Sequence, residues 1–153
     1  MKDGRLAEVD EKRVMIVVLS MGHARFAMHG SVVKEILYKP GIFPVPGAPS
    51  TVLGIINVRG DIESVIDINM LFGYPDAKPG RSNRVIIAEA GGIRTGVLVD
   101  SIDDVVDVPE SAISPPLSTL DDMIRDFVSG EVLVGDSNIT LLNPETIFKA
   151  ACS

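Results

Sequence analysis

Apolar residues run along this chain in short blocks, each closed by glycine, proline or charge. In the first half the blocks are Val14–Leu19, Arg25–Met28, Val52–Val58 and Ile62–Ile66. In the second they are Arg84–Ala90, Ile93–Val99, Ile102–Val108, Phe127–Val134 and Ile139–Leu142. Valine and isoleucine dominate them, and short β-branched runs bounded by turn formers read as strands. Gly91-Gly92 between two such runs predicts a tight hairpin, and Gly135-Asp136-Ser137-Asn138 predicts another turn. Arg59-Gly60 joins the strands on either side of it, the glycine permitting a tight turn that holds the arginine outward. Asp67 is placed to cap a short helix through Ile68, Met70, Leu71 and Phe72, ended by Gly73. Asn143-Pro144 starts a second helix that runs to about Ala151. Val32–Tyr38 is ambiguous: its apolar residues have helical spacing, yet as a strand it shows two mixed faces, Val33, Glu35 and Leu37 against Val32, Lys34, Ile36 and Tyr38. A strand there would leave an apolar residue outside, available to a partner.

Pro75–Asn83 is rich in turn formers and splits the chain almost in half. Each half then offers four or five short strands, too few for a sandwich and suited to a small barrel. The expected architecture is mainly β, two small barrels side by side in one domain over 13–150. The first barrel is expected at about 20–74 and the second at about 84–150, with strand 14–19 open to sharing between them. Residues 1–12, charged and aperiodic, are expected to be a flexible N-terminal arm.

Composition narrows the function. The chain has 153 residues, of which 46% are hydrophobic and only 5% aromatic, so the apolar content is aliphatic. Mean hydropathy is +0.30, high for a soluble domain. No apolar run approaches the roughly 20 residues that cross a bilayer, and no secretion signal is visible, so a cytoplasmic location is expected. Fourteen Lys and Arg against 21 Asp and Glu give a net charge of −7, which argues against nucleic acid as a partner. Cys152 is the single cysteine, so there is no internal disulfide and no zinc set.

Catalytic constellations are missing. No phosphate loop, nucleophile elbow or dinucleotide fingerprint occurs, and the glycines of Gly91–Gly96 lie between strands. His23 and His29 make at most half a metal site. Asp103, Asp104 and Asp107 alternate with Ile102, Val105 and Val106, which reads as the wet side of an edge strand rather than a cation site. Glu63, among Ile62, Val65 and Ile66, reads as pointing outward from a half-exposed strand. The expectation is a protein that is not an enzyme, with no cofactor and no metal.

Four motifs in order resemble the CheW family of bacterial chemosensory coupling proteins. Gly54-Ile55-Ile56-Asn57-Val58-Arg59-Gly60, followed by Asp67-Ile68, is similar to the family's G-[VI]-[IVT]-N-L-R-G signature. Val33-Lys34-Glu35-Ile36 ahead of Pro44-Val45-Pro46 matches an upstream element, and Gly96–Val105 matches a G-[IV]-x-V-D-x-[IV]-x-[DE]-V element. Ile139–Asn143 resembles the family's last strand and helix start. Glu63-Ser64 departs from the usual apolar-Pro pair, Asn69 from a common arginine, and Asn143 from an aspartate that also caps.

The resemblance implies two SH3-like five-stranded barrels, with a short helix after the first and a helix at the C-terminus. It implies a non-enzymatic adaptor coupling the cytoplasmic tips of methyl-accepting chemoreceptors to the regulatory domain of a CheA-type histidine kinase. One barrel would contact the kinase and an apolar groove between barrels would take the receptor helix. The matching partner-binding residues are Val33, Glu35, Gly54, Asn57, Val58, Arg59, Gly60 and Val105. Such a protein would be largely monomeric alone and would not insert into the membrane. Alternatives are an adaptor of a pilus-motility or other non-flagellar system and, more distantly, a ligand-binding barrel or enzyme. The plain reading of Arg59 is a salt bridge to Asp61 or Asp67, and Val33 is open between core and interface.

Overall fold

A computed structural model of the chain describes residues 11–22, 24–73 and 84–152. Most of the arm expected at 1–12, the linker at 75–83 and His23 lie outside the described residues. The strands are β1 (Arg13–Met21), β2 (Ala24–His29), β3 (Val33–Tyr38), β4 (Val52–Val58), β5 (Asp61–Ile66), β6 (Arg84–Ala90), β7 (Ile93–Val99), β8 (Ser101–Pro109), β9 (Ile113–Ser114), β10 (Val128–Val134) and β11 (Ser137–Leu142). Three short helices join them: α1 (Ile68–Leu71), α2 (Asp122–Arg125) and α3 (Pro144–Ala151). The ambiguous segment is a strand, β3, entered through a 3-10 turn at Gly30–Val32.

The strands form a six-stranded sheet, β8-β1-β2-β11-β10-β9, and a five-stranded sheet, β3-β6-β7-β5-β4. Pairing is antiparallel except for β2 with β11 and β5 with β7. The expected barrel boundaries at 20–74 and 84–150 do not follow this pairing. β1 and β2 join the C-terminal strands, while β6 and β7 complete the sheet begun by β3, β4 and β5. The reason lies in side chains buried on both faces. Val85, Ile86, Ile87 and Ala88 of β6 are all fully buried, so β6 must stand between two cores rather than on the outside of one.

Three apolar clusters show how alternation distributes these residues. Ile16 and Val18 of β1, Ala27 of β2, Val108, Val132, Ile139 and Leu141 fill the inside of the six-stranded sheet. Ile56, Val58, Val65, Val85, Ile87 and Leu98 fill the five-stranded one. The opposite faces of the same strands, with Leu19, Met21, Phe26, Met28, Ile86, Ala88, Val97 and Val99, meet in a third and largest cluster between the sheets. β1 is thus shared in the sense of burial: it hydrogen-bonds within one sheet and packs into the core common to both.

The helices seal that common core. Asp67 caps α1 by accepting from the Asn69 amide at 2.9 Å, and burial raises its carboxyl above the ordinary range against the pull of the cap hydrogen bonds. Behind the cap, Phe72 packs against Phe26 and Phe127, with ring centroids 5.9 Å apart in each pair. Asn143 and Pro144 open α3 as expected, and α3 buries Ile147, Phe148 and Ala151. Each large apolar side chain so buried contributes about 1.5–3 kcal/mol. The Thr51 hydroxyl donates to the Ala151 carbonyl at 2.9 Å, tying the loop before β4 to the end of α3. α2 has no counterpart in the sequence reading. Asp121 caps it through the Met123 amide, and its single buried residue, Ile124, anchors it.

Candidate functional site

The β4–β5 hairpin turns on two residues, Arg59 and Gly60, with φ of 55° and 92°. Both angles are positive, the geometry of the tight hairpin turn whose twist matches the flanking strands. Glycine adopts it freely; an arginine at the first position does so at a cost of about 1–2 kcal/mol. The Asn57 side chain compensates in part, accepting from the Gly60 amide at 2.8 Å. The turn therefore holds an unfavourable residue where glycine or asparagine would fit better, and it points that residue outward. The Arg59 side chain is 80% exposed.

Its ion-pair partner is neither Asp61 nor Asp67. Arg59 donates through Nη1 to Oε1 of Glu35 at 3.0 Å. β3 and β4 are the two edges of the five-stranded sheet, so this contact links the β4–β5 turn back to the opposite edge as the sheet curls. Glu35 sits on the inward side of β3 with Leu37, which packs against the five-stranded core.

The inward positions of that sheet change character toward this end. Below are Val65 on β5, Ile87 on β6 and Leu98 on β7. At the matching period-two positions nearer the turn stand Glu63, Glu89 and Arg94. Arg94 Nε donates to Glu63 Oε2 at 2.6 Å, and Arg94 Nη1 lies 3.9 Å from Glu89. The hydrogen bond to Glu63 is the main reason the Arg94 guanidinium is held even more firmly protonated than usual, with Glu89 and Glu35 adding to it. The Glu63 side chain is only 11% exposed, so the expectation that it points outward is corrected. Its place is the mouth of the barrel, where burial is tolerable because the carboxylate is paired. One signal was available: Glu63 lies two residues from Val65, on the same face.

The other residues singled out by sequence fall into different places. Gly54 is buried where the chain approaches itself closely. A side chain there would overlap the carbonyl of Phe43, which pairs with Ile55 through two backbone hydrogen bonds of 2.8 and 2.9 Å. Val58 is also buried, inside the five-stranded core. Both shape the hairpin, and neither offers a side chain to solvent. Val33 is half-buried against the common core. Val105 is 52% exposed on β8, the edge strand of the other sheet.

The acids of β8 are on its wet side. Asp103 accepts from the hydroxyls of Ser20 and Ser101 and lies 3.4 Å from Arg25. Partial burial alone would raise its carboxyl, but these hydrogen bonds and the nearby guanidinium outweigh it and hold the group below the usual range. Among the described residues no group of three or more His, Cys, Asp or Glu is arranged to hold a metal ion. No helix among them is long and apolar enough to cross a membrane. Large apolar side chains are exposed on both units: Ile36, Tyr38, Phe43 and Ile62 on or beside the five-stranded sheet, and Met15, Val105 and Leu133 on the six-stranded one.

A family model described as "CheW-like domain" matches residues 15–152. The chain belongs to the CheW family. A protein named "Chemotaxis protein CheW" from Rhizobium meliloti (strain 1021) is 28% identical over 133 residues, covering 87% of this chain and 86% of that protein. The protein of the same name from Bacillus subtilis (strain 168) is 33% identical over 107 residues, covering 70% and 68%. The crystal structure of the scaffolding protein TtCheW from Thermoanaerobacter tengcongensis superposes with a TM-score of 0.79 at 30% identity, over 90% of this chain and 88% of that one. The two curled sheets are thus the arrangement of a solved CheW scaffold, here with six and five strands.

Proposed function

We propose that this protein is a non-enzymatic adaptor that couples chemoreceptors to a CheA-type histidine kinase in the cytoplasm. The observation that carries the reading is Arg59: a guanidinium held outward on an unfavourable backbone conformation by one carboxylate, within the stretch that matches the family signature. A guanidinium presented this way can take a partner's carboxylate through two parallel hydrogen bonds, which fixes orientation as well as affinity. Ile62, exposed on β5 opposite Asn57 beside the turn, supplies apolar contact of the kind that such docking needs. The adaptor's task requires no bond making. It holds the kinase where receptor conformation can bias its activity.

Purified protein mixed with the kinase regulatory domain and receptor tips from the same cell tests this. Co-elution of all three, with no assembly when this protein is left out, is the expected result. Failure to retain either partner at micromolar concentration would overturn the adaptor reading. Whether the output is flagellar or pilus-based follows from which kinase is retained. The net charge of −7 opposes self-association, so alone the protein should sediment as a monomer.

A further inference from the structure

Two guanidiniums and three carboxylates share the mouth of the five-stranded barrel, and their pairing is not symmetrical. Arg94 is taken up by Glu63 at 2.6 Å and lies beside Glu89, while Arg59 touches Glu35 alone through one nitrogen. Glu63 is mostly buried and Glu35 is 21% exposed, whereas the Arg59 side chain is open to solvent. A carboxylate as enclosed as Glu63 requires a cation or a proton. Arg94 meets that need. Were it absent, Glu63 would have to take up a proton or draw on the other guanidinium at this mouth.

We propose that the Glu63–Arg94 pair is a positioning device for Arg59. By satisfying the partly enclosed Glu63 carboxylate, Arg94 leaves Arg59 with only the single Glu35 contact, so the guanidinium remains presented for a partner. In this chain an acid that would compete for Arg59 is thus matched by a basic residue on the neighbouring strand. β5 and β7 are adjacent in the sheet, which makes the match local and rigid. This inference rests on the adaptor reading for the consequence at the partner, but not for the geometry.

The test uses the full chain, titrated with the kinase regulatory domain, and follows the Arg59 side-chain N–H signal by 15N-arginine NMR, assigned through Arg59→Ala. In Arg94→Met the Arg59 signal should move and exchange more slowly with water, and the dissociation constant should rise about tenfold, within the range of coupled neighbours. In the double variant Glu63→Leu/Arg94→Met the competing acid is gone. Signal and affinity should then return to within about threefold of the parent. A pair that is merely structural would lower the melting temperature of Arg94→Met without moving either reading, and that overturns the proposal. So does a double variant as weak as the single one. If Arg94→Met does not fold, Arg94→Gln removes the charge and keeps a polar head, and an unmoved Arg59 signal there also overturns it. Should Arg59→Ala bind as the parent does, the adaptor site is wrong, while the Arg59 signal in the Arg94 variants still judges the positioning.

Discussion

The common core between the sheets and the mouth of the five-stranded barrel share strands β6 and β7 and obey opposite rules. In the core, β1, β2, β6 and β7 turn fully buried aliphatic side chains toward one another, and α3 closes the gap with Ile147 and Phe148. At the mouth, β3, β5, β6 and β7 end in Glu35, Glu63, Glu89 and Arg94, joined by Arg59 from the turn. Burial of apolar area supplies stability without direction. Paired charges at a half-open rim supply little stability and much direction. The comparison teaches where this protein keeps its fold and where it keeps its recognition, and mutations should separate the two.

The largest effect is expected in the core. Phe148→Ala, at a fully buried position, should cost about 3–5 kcal/mol. Both sheets should lose structure in one urea transition, because the cavity opens between them. Two separate transitions would show that the sheets are stabilised independently and would break the comparison. Val33 lies on the border, half-buried against that core. Val33→Lys should cost about 0.5–3 kcal/mol, since the long stem can carry its charge partly to water. Melting and partner binding should fall together; loss of binding at unchanged stability would move Val33 to the recognition side.

The sequence showed much of this division and concealed a definite part. The strand blocks, the Gly91-Gly92 hairpin and both helix caps at Asp67 and Asn143 were readable because they depend on neighbours in the chain. Which strands join which sheet was not. β6 follows a central linker and was assigned to the second half, yet it pairs with β3, a choice made by burial on both faces rather than by chain order. The Arg59–Glu35 contact spans 24 residues and joins opposite edges of one sheet, so no local spacing announces it. Glu63 was misread for a related reason. Alternation puts it on the face of Val65, but its enclosure depends on the barrel's curl and on Arg94, 31 residues away.

Two carboxylates sharpen the contrast through pH. Glu131 is buried, and desolvation raises its carboxyl above the ordinary range, opposed only by the Thr140 hydroxyl. A raised folded value means the native state is favoured below the unfolded value, near pH 4, and loses that advantage as pH rises through the folded one. Urea midpoints should therefore show Glu131→Gln gaining on the parent between pH 4 and pH 7. A difference that stays constant, or that moves in the parent's favour as pH rises, would contradict this. Asp103 has the opposite sign. Its lowered carboxyl contributes stability above about pH 4, which is lost as pH falls through the folded value, so Asp103→Asn should differ from the parent at neutral pH and converge with it in acid.

The smallest effect on stability and the largest on function are expected at the same residue. Arg59→Gly removes the exposed ion pair, worth under about 1 kcal/mol, and relieves the unfavourable turn angle, so its melting temperature should equal or slightly exceed the parent's. Arg59→Ala keeps the backbone cost and should melt close to the parent. The direct measurement is kinase activation in a reconstituted mixture of receptor, kinase and this protein, read for the parent, Arg59→Ala and Arg59→Lys at matched folded concentrations. The account predicts loss of activation with Arg59→Ala and partial recovery with Arg59→Lys, at unchanged melting. Full activation by Arg59→Ala would make the turn structural and contradict the central claim.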